Sequence, residues 1–205
     1  MIELYDFELS GNCYKVRLML SLLQQNYQKV MVNLANREQV SEAFISRNPF
    51  GQVPVLKEGD LWLRDSQAIL VYLARKYGDA QWLPLDPVQL GQINAWLATA
   101  ANEVARGPAL LRIHYKFGRE INLADASAFT AKLMQILQHH LSHQQWLVGD
   151  HATIADIAIY PYVALAHEGK VDLTAYPAII AWIKRIQALP NYVGMPGLWQ
   201  VSACQ

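Results

Sequence analysis

Ser10 and Cys13 lie three residues apart in "LSGNCYKVRLML" (residues 9–20), where a strand pattern gives way to a helix pattern. A hydroxyl and a thiol at that junction suit an enzyme that handles thiols, because a helix N-terminus favours negative charge and a hydroxyl donates a hydrogen bond to it. The same serine serves equally as an ordinary helix cap, and Cys13 also reads as a small buried hydrophobe. Ser10-Gly11-Asn12-Cys13 has the spacing of a C-x-x-C motif whose first cysteine is replaced. A complete pair cycles through an internal disulfide, whereas a lone Cys13 forms only a mixed disulfide with an external thiol. Asp65-Ser66 opens another helix pattern, where a carboxylate and a hydroxyl either cap the helix or grip a ligand's amino and carboxylate groups. His139 and His143 have i, i+4 spacing compatible with a metal. With His140 beside them and no carboxylate nearby, an exposed polar face is the better reading, and no metal is expected.

The elements that must position these residues follow from periodicity. Ile2, Leu4 and Asp6 alternate with Glu3, Tyr5 and Phe7, a strand. Val16, Met19, Leu20 and Leu23 recur at helical spacing. "YQKVMVN" (27–33) is a second strand, and so short a strand-helix-strand span favours a parallel, right-handed crossover. A short helix is expected around Phe44 and Ile45, before the two prolines of "NPFGQVPVL" (48–56) forbid helix. Val55–Leu56 and Leu61–Leu63 flank Glu58-Gly59-Asp60, a hairpin signal. Ser66 to Lys76 is an amphipathic helix with Gly78 placed to stop it.

Beyond Gly78 the texture changes. "GDAQWLPLDP" reads as a linker, and strand signals then largely vanish. Ile93, Trp96, Leu97 and Ala100 share one helix face, Phe129, Leu133, Ile136, Leu137 and Leu141 another, and Ile179, Trp182, Ile183 and Ile186 a third. In "GDHATIADIAIY", Thr153 and Asp156 form a capping box. The fold class is therefore α/β plus all-α: a small βαβαββα domain over 1–78, a linker over 79–87 and a helical bundle over 88–205.

The 205 residues are 53% apolar, enough for a core without staples, and the 17 basic residues balance the 17 acidic ones. No excess positive field exists to collect nucleic acid or an anionic membrane. Cys13 and Cys204 are the only cysteines, the first residues lack a signal-peptide pattern, and the most apolar stretch, Ile157 to Ala166, is too short to span a bilayer. A soluble, cytoplasmic protein is expected, with neither nucleic acid nor membrane as partner.

Four segments in this order, "YDFELSGNCYKVRL" (5–18), "NPFGQVPVL" (48–56), "LRDSQAILVYLARKYG" (63–78) and "GDHATIADIAIYPY" (149–162), resemble the cytosolic glutathione S-transferase family across nearly the whole chain. The resemblance is to bacterial, theta/delta/beta-like members that keep a serine at the catalytic position. It implies a thioredoxin-like first domain that holds glutathione and a helical domain that lines the co-substrate pocket. Ser10 then donates a hydrogen bond to the glutathione sulfur, with Cys13 as the working thiol in a minority reading. Gln52, Val53 and Pro54 match the loop whose backbone pairs with the cysteinyl unit, with Pro54 expected to be cis, and Asp65-Ser66 match the pair that grips the γ-glutamyl end. Where many relatives carry a basic residue or histidine near the glycine carboxylate, this chain has Gln39 and Gly51, with Arg37 close in sequence. Asn102, Arg106 and His114 fall on or near segments expected to face the cleft, and Arg106 is a candidate to polarise a co-substrate; solvated helix faces are an equal reading. The resemblance implies a homodimer, with Phe50 packing into the partner or into a local core. It implies conjugation of glutathione, a co-substrate rather than a cofactor, to small apolar electrophiles, as in detoxification. Alternatives are glutathione-dependent peroxide or disulfide reduction, isomerisation, or a non-catalytic regulatory protein on the same fold.

Overall fold

The computed structural model describes residues 1–199; Cys204 and the end of the last predicted domain lie outside them. The chain opens with strand β1 (Ile2–Asp6), helix α1 (Gly11–Leu22) and strand β2 (Tyr27–Met31), and β2 lies parallel to β1 with Ile2 opposite Tyr27. Strand β2 is two residues shorter than its apolar run, yet Val32 still donates its N–H to the Asp6 carbonyl and stays buried. A single-turn helix α2 (Glu42–Ile45), capped by Ser41, buries Phe44. A cis Val53–Pro54 bond leads into β3 (Val55–Glu58), which pairs antiparallel with both β1 and β4 (Leu61–Arg64). The sheet order is β2-β1-β3-β4, so β1 is an inner strand, and helix α3 (Ser66–Tyr77) completes this half. Gly78 ends α3 in extended backbone: a Cβ there would lie 2.7 Å from the Ala74 carbonyl oxygen, so close approach is what calls for glycine.

The remaining described elements are helical. Helices α4 (Pro87–Ala101), α5 (Glu103–Arg106) and α6 (Pro108–Phe117) run in succession, broken at Asn102 and Gly107. They are followed by α7 (Leu123–His143), α8 (Ile154–Ala164) and α9 (Pro177–Gln187). The inward face of α7 consists of Leu133, Met134, Leu137 and Leu141; Ile136 was expected there but is 46% exposed, and Met134 takes its place. The shift is a rotation of the stripe by a fraction of a turn, within the width that period 3.6 allows.

Helix α8 is the axle of the molecule. All but one of its eleven residues are buried, and it packs on α1, α3 and α4. Its start is fixed by the capping box read from the sequence, and Asp156 does more than cap: its carboxylate accepts from the Thr153 N–H (2.9 Å) and hydroxyl, the Leu147 N–H (3.1 Å) and the Trp182 indole N–H (2.8 Å). These bonds tie the α7–α8 loop, α8 and α9 together through one fully buried side chain. Removing it strands three buried N–H donors, each worth about 1–3 kcal/mol when unsatisfied. Asp156→Ala is therefore expected to cost about 3–5 kcal/mol. Urea unfolding followed by fluorescence checks this, and a loss below about 1 kcal/mol contradicts it.

Candidate functional site

The loop between β1 and α1 is held from several sides. Ser10 is the N-cap of α1, its Oγ accepting from the Cys13 N–H at 3.2 Å. The Leu9 carbonyl accepts from Arg112 Nη1 at 2.8 Å, and Arg112, buried on α6, is paired through Nε with Glu168. On α1, Tyr14 donates to the Val193 carbonyl at 2.7 Å. The helical half thus clamps the start of α1 from α6 and from the segment after α9.

A cavity of about 330 Å³ lies between the two halves. One wall carries Asn12, Gln52, Val53, Asp65, Ser66 and Gln67; the other carries Ala101, Ala105, Ala109, Ile113 and Tyr162. The first wall is polar and built on helix starts and loop backbone. The second is made of small and apolar side chains, which leave room. A larger groove of about 720 Å³, bounded by Arg17, Lys29 and residues 191–196, contains none of the residues singled out from the sequence. The smaller cavity is the one with convergent polar groups beside apolar surface.

The polar wall is shaped by specific contacts. Asn48, almost fully buried, donates Nδ2–H to the Gln52 carbonyl at 2.7 Å and accepts from the Phe50 N–H, which fixes the turn ahead of Val53. Gly51 sits at φ +58° in that turn. Asp65 caps α3, accepting from the Gln67 and Ala68 N–H groups at 2.9 and 3.1 Å. It does so at φ +71°, a conformation that costs a non-glycine residue about 1–3 kcal/mol and that tends to cluster at ligand sites. Ser66, buried, donates its hydroxyl to the Gln67 side-chain carbonyl. Phe50 and Arg64 also line the cavity, the Arg64 guanidinium standing 3.9 Å from the Phe50 ring centroid. Such a wall offers a carboxylate for an amino group, and a helix N-terminus with a hydroxyl for a carboxylate.

Gln52, Val53, Asp65 and Ser66 are brought together in this cavity. Ser10 stands at the start of α1, partly buried, two residues before the wall residue Asn12, and is not itself among the lining residues. Five expectations change. Cys13 is fully buried, and burial, with the Asp6 charge, pushes its thiol up to about 12 against the Ser10 hydrogen bond and the Phe7 N–H. A protonated, enclosed thiol is neither nucleophile nor redox partner. Arg106 turns away from the cavity, its guanidinium 4.1 Å from the Phe129 ring centroid on α7, because the cavity-facing positions of that stretch are Ala101, Ala105 and Ala109. Gln39 lies outside the cavity: its backbone carbonyl packs 3.0 Å from where a Gly51 Cβ would stand, so it supports the turn from behind. Likewise, exposed Asn102 pairs with Glu103, and His114 bonds the Arg119 carbonyl.

Asn12, Arg64 and Gln67 are wall residues that the sequence reading passed over. Each is adjacent or next-but-one to a residue it did single out, and a helix start exposes consecutive residues to one ligand; that was the available signal.

Two family models match the chain: "Glutathione S-transferase, N-terminal domain" over residues 4–81 and "Glutathione S-transferase, C-terminal domain" over 97–190. A crystal structure of a glutathione S-transferase from Pseudomonas fluorescens superposes with a TM-score of 0.90 at 34% identity, covering 95% of this chain and 98% of that one. The maleylacetoacetate isomerase of Rattus norvegicus is 34% identical over 92% of this chain and 89% of its own. A disulfide-bond oxidoreductase of Escherichia coli is 29% identical over 93% and 92%.

The chemistry assigned to Cys13 has a direct check. Iodoacetamide at pH 8 is expected to leave Cys13 unmodified in the native protein and to alkylate it fully after denaturation, read by mass mapping of the peptide that contains it. Rapid native labelling of that peptide would contradict the burial argument.

Proposed function

Since the chain belongs to the glutathione S-transferase family, we propose that it is a glutathione transferase, activating the thiol of glutathione for attack on small apolar electrophiles. The observation that carries this reading is the two-sided cavity. A polar wall at the starts of α1 and α3 faces an alanine-rich wall from α4, α5 and α6, so one pocket offers a hydrophilic peptide and an apolar molecule adjoining places. In this reading Asp65 takes the γ-glutamyl ammonium, and Ser66 with the α3 N-terminus takes its carboxylate. The Val53 backbone pairs with the cysteinyl unit beside Gln52. Ser10 donates a hydrogen bond from its hydroxyl to the sulfur.

The energetics suffice. Lowering a thiol from about 8.5 by two units needs about 2.7 kcal/mol in favour of the anion. A hydrogen bond to a charged group supplies about 1.5–3, and a helix N-terminus up to about 2 in a favourable site. The thiol proton leaves to solvent, the sulfur lone pair forms the new bond to carbon, and the electrophile's leaving group departs or its strained ring opens. The Ser10 Oγ accepts from the Cys13 N–H through a lone pair, so capping does not consume its hydrogen, which would turn from the Cys13 sulfur to that of glutathione when the peptide docks.

A second reading keeps the glutathione site and changes the reaction to isomerisation or to peroxide or disulfide reduction; it is favoured by the isomerase and oxidoreductase among the similar proteins. With Cys13 enclosed, reduction would draw both thiols from two glutathione molecules. Assembly as a homodimer belongs to the same proposal. Its support is an apolar groove of about 340 Å³ between α4 and α7, lined by Trp96, Phe129, Leu133 and the exposed Ile136. A role in detoxification within the cytoplasm goes with it; among the described residues, no helix is long and apolar enough to cross a membrane.

Calorimetric titration with glutathione tests the site: no binding at millimolar ligand would remove the enzyme reading and favour a regulatory protein. Turnover on aryl halides, epoxides, hydroperoxides and a cis-trans dienoic acid separates the reactions. Ser10→Ala is expected to lower turnover by about 10- to 100-fold, the worth of one hydrogen bond to a charged sulfur, with little change in glutathione affinity; equal rates would return Ser10 to capping alone. Light scattering is expected to give twice the 23.2 kDa chain mass, and Ile136→Glu to shift the protein toward single chains.

A further inference from the structure

Arg112 of α6 is 3% exposed, yet the protein does not use the whole of its guanidinium. Nη1 donates to the Leu9 carbonyl at 2.8 Å and Nε donates to the Glu168 carboxylate, while Nη2 is buried with no acceptor among the described residues. A buried polar group without a partner calls for a reason outside packing, and a buried cation more so.

The pairing supplies that reason. Nη1 and Nε point to different sides of the planar fork, so the guanidinium stands between the β1–α1 loop and the Glu168 carboxylate, with the cation on the loop side. Glu168 is shared, because Lys116 donates to its other oxygen. Two cations against one carboxylate leave one positive charge in excess. Leu9 precedes Ser10, so that excess stands beside the residue whose hydroxyl meets the sulfur. One residue spacing and two hydrogen-bond lengths bring a sulfur on Ser10 within about 10 Å of Arg112. At that distance, with an effective dielectric of about 20, one charge moves a pKa by about one unit. Tyr162 covers the first turn of α1, its ring so close to Gly11 that a Cβ there would lie 2.8 Å away. Burial pushes the Tyr162 hydroxyl up to about 12 while the Arg112 charge pulls it down, so that charge is felt at the helix start.

Other titratable groups surround this corner. From β1 and α1, Asp6 holds Arg17, Cys13 is kept protonated by burial, and Lys15, beside the Tyr162 ring, is lowered to about 7 by burial. Asp65 of α3 and Arg64 of β4 stand in the cavity wall. From α5, Arg106 lies on Phe129 and Glu103 bonds Asn102; on α6 itself, His114 bonds the Arg119 carbonyl. From α7, Asp125 bonds Asn122, and from α8, Asp156 bonds Trp182. In the segment after α8, His167 is exposed, Lys170 stands over the Tyr115 ring, and Lys116 and Arg112 hold Glu168 below the usual carboxylate range against its burial. Apart from Arg112 and Glu168 these groups are common to the wild type and the variants below, so they cancel in a comparison.

We propose that Arg112 is a positioning residue for the sulfur: its charge, held against the Leu9 carbonyl, favours the thiolate of a glutathione docked at Ser10, and Glu168 sets how much of that charge the sulfur feels. This rests on the glutathione reading and adds to the serine hydroxyl and the helix start a cation supplied by the other half of the chain. The sign follows from charge alone. A nearby cation favours the anion, so removing it raises the thiol pKa, and removing the Glu168 carboxylate lowers it.

The thiolate absorbance of glutathione bound to the full chain, followed through pH, reads the thiol pKa. Arg112→Met is expected to raise it by about one unit, and Glu168→Gln, which keeps an oxygen for the Arg112 Nε–H, to lower it by about half a unit. Arg112→Lys keeps the charge and should stay closer to the wild type than to Arg112→Met. Turnover of an aryl halide by Arg112→Met should be about tenfold slower than wild type below both thiol pKa values and equal to it above them. A merely structural pair would slow both variants at every pH and move the thiol pKa in one direction or not at all. A pKa unchanged or raised in Glu168→Gln therefore overturns the role of Arg112 and leaves the glutathione site standing. A pKa in Arg112→Lys as high as in Arg112→Met overturns the charge in favour of the Leu9 clamp alone. Absence of binding at millimolar glutathione overturns both the site and the role of Arg112. If Arg112→Met does not fold, the sign of the change in Glu168→Gln decides alone.

Discussion

Helix α1 is enclosed on nearly every side, and the remainder of the molecule is arranged around that fact. An inner strand feeds it, α3 lies against it from its own half, and α8 covers it from the other. A helix so enclosed has one direction in which its unpaired N–H groups and positive end can act, namely forward from its first turn. The cavity lies along that direction, with Asn12 in its wall. Burial elsewhere along the helix keeps water away from its sides, so the field at its start is screened less than at a surface helix.

Enclosure also explains why the two halves cannot be considered separately. The apolar wall of the cavity comes from α4, α5 and α6, whose alanines face inward, and α6 also supplies Arg112, which fixes the Leu9 carbonyl. The elements that make room for an apolar molecule therefore also hold the backbone of the residue next to Ser10. Asp156 anchors the start of α8, α8 seats α1, and α1 presents Ser10 and Asn12, so a buried carboxylate well removed in sequence contributes to the geometry at the cavity.

Much of this was legible in sequence wherever the signal was local. Thr153 and Asp156 follow a capping rule, Gly59 sits in the turn of the hairpin, and Asp65-Ser66 opens α3; each depends on neighbours within a few residues. Gln52, Val53, Asp65 and Ser66 were legible as a set only through resemblance, since nothing in their spacing says that a loop and a helix start will share a wall. What periodicity missed was set by the other half of the chain. Lys15 and Arg17 are charged positions that periodicity leaves in solvent, but Tyr162 of α8 stands over Lys15, and Asp6 of β1 with the Phe7 and Glu8 carbonyls engages Arg17. Arg106 looks like a cleft residue, but its neighbour Ala105 holds the cavity-facing position and Arg106 stacks on Phe129 of α7. Cys13 looks reactive beside Ser10, and one turn of helix carries it into the core.

The fate of the Ser10–Cys13 pair follows from the same enclosure. Two readings of Ser10, cap and catalyst, seemed to compete, but they use different parts of one hydroxyl. The cap consumes an oxygen lone pair and leaves the hydroxyl hydrogen as a donor. Cys13 is held from the other direction, its sulfur accepting from the Phe7 N–H while burial keeps it protonated. A serine at the first position and an enclosed thiol at the fourth leave no internal disulfide within this motif. Any sulfur chemistry at this helix start would have to use a thiol from outside the motif.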